Sequence, residues 1–284
     1  MHIQPLKPIL FDCKTHQLDL SKVHVMGILN VTPDSFSDGG QYDNVQSAVQ
    51  RAEQMIAEGA TIIDIGGEST RPNAQVVSVE QELERVIPVV KALKNHGVTL
   101  SIDTSQPEVI YQAVEAGAHI WNDVRALTRP NALETAIELD IPVILMHMRG
   151  EPQTMNQLAV YDDVVAEVKQ ELQQRIDLAL AKGMKAERII LDVGFGFAKN
   201  TQHNIELLKH FSQFTDMGFP LLSALSRKRF IGEILDITQA DERVIGSVVG
   251  HLFSVQQGAN IVRVHDVKAT VEAIKMWEVV FTKK

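Results

Sequence analysis

The feature that most constrains this chain is an alternation: apolar runs of strand length recur eight times, interleaved with segments of helical periodicity. The runs occupy 24–30, 61–66, 98–103, 119–123, 142–147, 188–192, 220–225 and 260–263. The segments 45–58, 79–95, 107–115, 132–139, 161–182, 202–214, 241–257 and 267–281 carry apolar residues at steps of three and four, which places them on one helix face. Buried, β-branched strands joined by short links pair in parallel beneath covering helices. Glu58-Gly59-Ala60, Ala116-Gly117-Ala118 and Gln257-Gly258-Ala259 each end a helix and lead into a strand, and glycine there permits the left-handed residue that stops a helix. Ser78 with Gln81 has capping-box spacing, and Pro107 suits a first helical turn. Eight such units close into a (β/α)8 TIM barrel, an α/β fold that uses roughly 250 residues as one domain; an open doubly wound sheet shares the alternation and is the alternative. The 284 residues are therefore read as one domain, 1–284. Within 1–20, the segments Ile9–Phe11 and Gln17–Leu20 around a polar turn predict a small N-terminal β-hairpin, placed to plug the barrel bottom.

Charge narrows the partners. With 27 Lys and Arg against 36 Asp and Glu, the net charge is −9, so no general basic field exists to hold a polyanion and any phosphate site must be built locally. Nucleic acid is not an expected partner. Cys13 is the single cysteine, which excludes an intrachain disulfide and a thiolate metal cluster. No apolar run approaches the ~18 residues of a membrane span, and the first ten residues lack a signal pattern. The expectation is a cytoplasmic protein without a membrane partner.

Almost every strand ends in a polar or ionisable residue: Asn30, Asp64, Asp103, Asn122 with Asp123, His147, Asp192, Ser226 to Lys228, and Arg263 to His265. Barrel active sites are built from those ends. The segments after the first two strands are dense in glycine, serine and proline and carry Asp34, Asp38, Glu68 and Arg71, a composition suited to loops that close over a ligand.

Four segments carry a resemblance: 26–40, which contains Asn30-Val31-Thr32-Pro33-Asp34-Ser35-Phe36-Ser37-Asp38; 64–72, with Gly66-Gly67-Glu68-Ser69-Thr70-Arg71-Pro72; Ser226-Arg227-Lys228; and Arg263-Val264-His265-Asp266. Together they resemble the dihydropteroate synthase family over nearly the whole chain. The resemblance implies a homodimeric, cytosolic folate-pathway transferase that joins p-aminobenzoate to 6-hydroxymethyl-7,8-dihydropterin diphosphate and releases pyrophosphate with Mg²⁺, and that sulfonamides inhibit. A carboxylate can accept the pterin's ring N–H and exocyclic amine as a fork, the role that falls to Asp192. The resemblance places Asp103, Asn122 and Lys228 on the same ring. It gives the diphosphate to Arg71, Arg263 and His265, with Asn30 as the Mg²⁺ ligand. Thr70, Pro72, Phe197 and Ser226, together with the first amides of the helix after Lys228, fall to p-aminobenzoate. Asp103, Lys228 and Arg263 are the expected catalytic set.

Other readings of these residues stay open. Asp192 and Lys228 could be a structural ion pair, Phe197 could be core, and Arg227 and Arg229 could be solvated or phosphate-facing. The chain departs from the family pattern at Val193, where proline is usual, and at Ala224 and Asn73, where glycine is usual; these put loop geometry and drug sensitivity in question. Rival functions are a non-catalytic pterin-binding relative, a methyltetrahydrofolate:corrinoid methyltransferase-like barrel, and a Schiff-base aldolase using Lys228 with Arg227 and Arg229 depressing its pKa.

Overall fold

The computed structural model describes residues 9–13, 15, 17–32, 41–68 and 77–281. The N-terminal strands β1 (Leu10–Asp12) and β2 (Gln17–Asp19) form an antiparallel hairpin with Phe11 opposite Leu18. Then follow β3 (His24–Asn30), β4 (Ile62–Gly66), β5 (Thr99–Asp103), β6 (Ile120–Asp123), β7 (Val143–Met146), β8 (Ile189–Asp192), β9 (Leu221–Ser223) and β10 (Ile261–Val264). These eight are parallel neighbours in chain order, and β10 pairs with both β9 and β3, with Val262 opposite Ser223 on one side and Val25 on the other. That closure makes the sheet a TIM barrel and removes the open doubly wound alternative.

The helices are α1 (Gln41–Ala57), α2 (Val79–Leu93), α3 (Pro107–Ala116), α4 (Ala132–Leu139), α5 (Val164–Ala181), α6 (Thr201–Lys209), α7 (Arg229–Leu235), α8 (Val244–Gln256) and α9 (Val267–Phe281). The expected signals operate as read: Ser78 and Gln81 form a reciprocal capping box, Pro107 opens α3, and Gly59, Gly117 and Gly258 all have positive φ. Several boundaries differ, among them the starts of α1 and α8, and two of the differences have plain local reasons. α5 begins three residues after Tyr161 because the Asp163 carboxylate accepts the N–H groups of Val165 and Ala166, fixing the start by capping. The segment 202–214 splits at His210 into α6 and a 3-10 turn, Phe211–Met217, that buries Phe211 and Phe214.

Within the barrel, Met26, Ile62, Ile120, Ile144, Ile190, Leu222 and Ile261 form an apolar layer at the lower end, and Phe11, Cys13, Leu18 and Leu20 of the hairpin pack into it. Each fully buried side chain of this size stabilises the fold by about 1.5–3 kcal/mol relative to exposure, so the hairpin seals the floor as predicted. It is pinned by hydrogen bonds from Asn260 Nδ2 to the Leu20 carbonyl (2.8 Å) and from Arg188 Nη1 to the Asp12 carbonyl (2.7 Å). Burial pushes the Cys13 thiol up to about 12.

Candidate active site

Side chains on a strand alternate faces, so a residue two positions above an inward one is also inward. Above the apolar floor this step reaches polar groups on four strands: Ile62 leads to Asp64, Ile120 to Asn122, Ile190 to Asp192, and Ile261 to Arg263. Asp103 joins them from the end of β5. The barrel mouth is therefore polar by the periodicity that makes its floor apolar.

These groups are tightly connected. Asp64 is fully buried, and its Oδ2 accepts from Arg263 Nε (2.6 Å) and Asn122 Nδ2 (3.0 Å), while its Oδ1 has no hydrogen-bond partner among the described residues. Arg263 Nη2 donates to Asp103 Oδ2 at 2.7 Å. Burial raises the Asp103 carboxyl to about 7, Arg263 opposes that rise, and the Asp64 and Glu68 carboxylates add to it. Asp64 stood among the polar strand ends in the sequence without a role; here it anchors both Arg263 and Asn122. The inward step from Ile62 was the signal that could have singled it out.

Asp192 is buried, and its Oδ1 accepts the Gly194 N–H at 2.8 Å. Burial raises its carboxyl, against the pull of that N–H and of Lys228, Lys199 and Arg263. No salt bridge joins Asp192 to Lys228 among the described residues. The Lys228 ammonium instead sits 4.1 Å from the centroid of the Phe197 ring, a cation–π geometry. Gly196, at φ +78, makes room for it, since a Cβ there would stand 3.0 Å from Lys228 Cδ. Burial lowers Lys228 to about 8, with Arg263 adding to the effect. The neighbouring arginines do not face it as the aldolase reading supposed: Arg227 forks onto Asp266 (2.9 and 2.6 Å) and Arg229 pairs with Glu233 (3.2 Å).

Phe197 is part of a small apolar cluster and also lines a cavity. It packs with Val124, Met146, Met155 and Ala198, yet it lines a cavity of about 440 Å³ together with Lys199, Asn204 and Lys228. Ser226 and His265, expected on different substrates, touch: Ser226 Oγ accepts the His265 N–H (3.1 Å) and hydrogen-bonds its Nδ1 (3.0 Å). Asn30 ends β3, and its Oδ1 lies 3.6 Å from where a Cβ on Gly66 would stand, with Asp103 Oδ2 3.8 Å from the same point. Val193 is fully buried, and Ala224 lies outside the left-handed region, so it has no conformational need for glycine. Thr70, Arg71, Pro72 and Asn73, with residues 33–40, lie outside the described residues.

Fold and site together define a (β/α)8 barrel with buried polar groups at its mouth, the end where barrel enzymes build their sites, above a sealed apolar floor. Residues 26–265 match the family described as pterin binding enzyme. The chain is 52% identical over 268 residues to the dihydropteroate synthase of Escherichia coli K12, covering 94% of this chain and 95% of the relative. Among solved structures it is similar to Xanthomonas albilineans dihydropteroate synthase with 4-aminobenzoic acid (TM-score 0.93, 47% identity, 98% of this chain and 100% of that one). It is also similar to the Yersinia pestis dihydropteroate synthase in a sulfonamide drug complex (TM-score 0.91, 47% identity, 97% of this chain and 100% of that one). The chain belongs to the dihydropteroate synthase family of pterin-binding enzymes, transferases of folate biosynthesis.

Proposed function

We propose that this chain joins 6-hydroxymethyl-7,8-dihydropterin diphosphate to p-aminobenzoate by a substitution in which the C–O bond breaks before the C–N bond forms. The observation that carries the reading is the buried Asp103, Asn122 and Asp192 at three strand ends, with half-buried Lys228 at the start of α7 beside them, at one mouth. In this reading Asp192 accepts the pterin ring N–H and exocyclic amine, Asn122 gives the ring a donor and an acceptor, and Lys228 meets its oxygen and nitrogen acceptors. As the C–O bond breaks, its electron pair leaves with pyrophosphate, and Arg71, Arg263 and His265 face that charge. The two carboxylates of Asp64 and Asp103 share one guanidinium, so when both are ionised they leave a net negative charge beside the pterin-methyl cation. The p-aminobenzoate amine, neutral near pH 7, supplies its lone pair to the new C–N bond and releases a proton to solvent. Ser226 meets the carboxylate of that substrate, and Thr70, Pro72 and Phe197 enclose its ring.

Mg²⁺ fits the donor chemistry. No three His, Cys, Asp or Glu side chains converge on a metal position among the described residues, whereas Asn30 offers an amide oxygen at the mouth. Mg²⁺ commonly takes few protein ligands and completes its shell with substrate phosphate and water, so Asn30 would hold it. When bound, the ion adds positive charge to the departing pyrophosphate.

The direct test is pyrophosphate release and dihydropteroate formation by the purified protein, with and without Mg²⁺ and p-aminobenzoate. Product that requires both is expected; bound pterin without product would overturn the reading in favour of a non-catalytic relative. The sulfonamide complex of the Yersinia pestis relative supports sulfonamides as competitors of p-aminobenzoate here.

The assembly proposed is a homodimer in the cytosol. No described helix is long and apolar enough to cross a membrane. Ile245, Val249 and Phe253 are 78, 44 and 49% exposed and lie one helical turn apart on α8, and Met276, Val279 and Val280 are exposed on α9. A contiguous apolar face of this kind favours a partner. Val249→Asp with Phe253→Asp is expected to yield a monomer by sedimentation; an unchanged mass would move the interface elsewhere.

A further inference from the structure

The loop after β8 is an improbable conformation that something must hold. Gly194, Gly196 and Ala198 all adopt left-handed backbone, at φ +69, +78 and +49. That conformation is costly for the alanine, and such residues persist where surrounding structure fixes them. Gly194 passes so close to the end of β7 that a Cβ would stand 1.9 Å from the His147 carbonyl oxygen. Phe197 sits between the last two left-handed residues, its ring under the Lys228 ammonium.

One buried side chain ties this loop down. Lys199 Nζ donates to the Phe197 carbonyl (2.9 Å) and to His147 Nδ1 (2.9 Å), and more weakly to the His147 carbonyl (3.5 Å). Because Nδ1 accepts, the imidazole proton lies on Nε2, which donates to Glu171 Oε2 at 2.9 Å. Arg149 holds Glu171 from its other side. The three N–H groups of the ammonium therefore have three acceptors, spanning the loop and the end of β7.

We propose that Lys199 is a positioning residue for the p-aminobenzoate half of the site, holding the loop that carries Phe197 against His147; the inference rests on the reading of Phe197 given above. The groups that face it set its charge. Asp192 on β8 and Glu171 on α5 favour the ammonium, while Lys228 at the start of α7 and Arg149 oppose it; His203 on α6 is itself lowered, first by burial and then by Lys199. Burial pushes Lys199 down to about 7, and burial with Lys199 beside it pushes His147 down to about 4. The imidazole is thus neutral where the enzyme would work.

Lys199→Met replaces the buried ammonium with a side chain of similar length. Its KM for p-aminobenzoate is expected to rise by about tenfold or more, the scale of a misplaced contact. KM for the pterin diphosphate should stay within about twofold, below the cost of one lost hydrogen bond. His147→Leu, which removes the Nδ1 acceptor by another route, should show the same selective rise and serves if Lys199→Met does not fold. Equal effects on both substrates, or no effect, would overturn the assignment. Failure of the wild-type enzyme to make dihydropteroate would overturn the reaction reading and this inference with it, whereas normal wild-type turnover with no selective change would sink this inference alone.

Discussion

Arg263→Ala should destabilise the fold as well as slow turnover. The guanidinium binds two buried carboxylates, Asp64 at 2.6 Å and Asp103 at 2.7 Å. Removing one member of a buried ion cluster costs about 3–5 kcal/mol because the remaining charge is left uncompensated. Loss of a positive group facing the departing pyrophosphate is a separate cost of about 3 kcal/mol in the transition state. The pH dependence separates the two. Asp103 already has a raised carboxyl, so its protonated form is favoured in the folded state, and loss of Arg263 pushes it further up. The variant's stability deficit should therefore be full at alkaline pH and shrink as pH falls through that raised value, since protonation removes the unpaired charge. Denaturant unfolding at pH 8 and pH 5 reads this directly. A deficit below about 1 kcal/mol at pH 8, the worth of an exposed pair, would show that the cluster does not depend on Arg263.

Asp192→Ala is expected to leave the protein folded and unable to bind pterin. In the structure the carboxylate's hydrogen bond is to the Gly194 N–H, so truncation forfeits one backbone partner. Hydrogen bonds to a charged group are each worth about 1.5–3 kcal/mol, so loss of a two-bond fork to the pterin should weaken binding at least about a hundredfold. Titration calorimetry with a dihydropterin measures this, with thermal unfolding as the control for folding. Affinity retained within about twofold, less than one such bond, would take Asp192 out of the site. Because burial raises the Asp192 carboxyl, wild-type affinity should also fall as pH drops through its titration, when the ionised acceptor is lost.

The fold was legible because its signal is local and repeated. Eight strand-length runs and their helices, Ser78 with Gln81, Pro107, and the three glycines before strands all carry their structural meaning within a few residues. The strand-end polar residues were legible for the same reason, and the step of two along a strand explains why Ile62 with Asp64 and Ile261 with Arg263 share an inward face. Partner choice was less legible. Arg263 was expected to face phosphate, and nothing along the chain announced that Asp64 and Asp103, 199 and 160 residues away, also bind it. Ser226 and His265 were given to different substrates and hydrogen-bond each other. Lys199 drew no attention, since nothing in its neighbourhood along the chain announces that His147, 52 residues earlier, will accept its proton.

By itself, then, the sequence determined the eight strand–helix units, the N-terminal hairpin and the polar strand ends, because hydrophobic periodicity and turn chemistry act over short distances. Barrel closure decided which of those polar ends meet. Whether a carboxylate is a ligand, a counter-ion or an anchor depends on the charge brought within about 3 Å of it in a desolvated space, and that distance is set by packing across the barrel rather than by position along the chain.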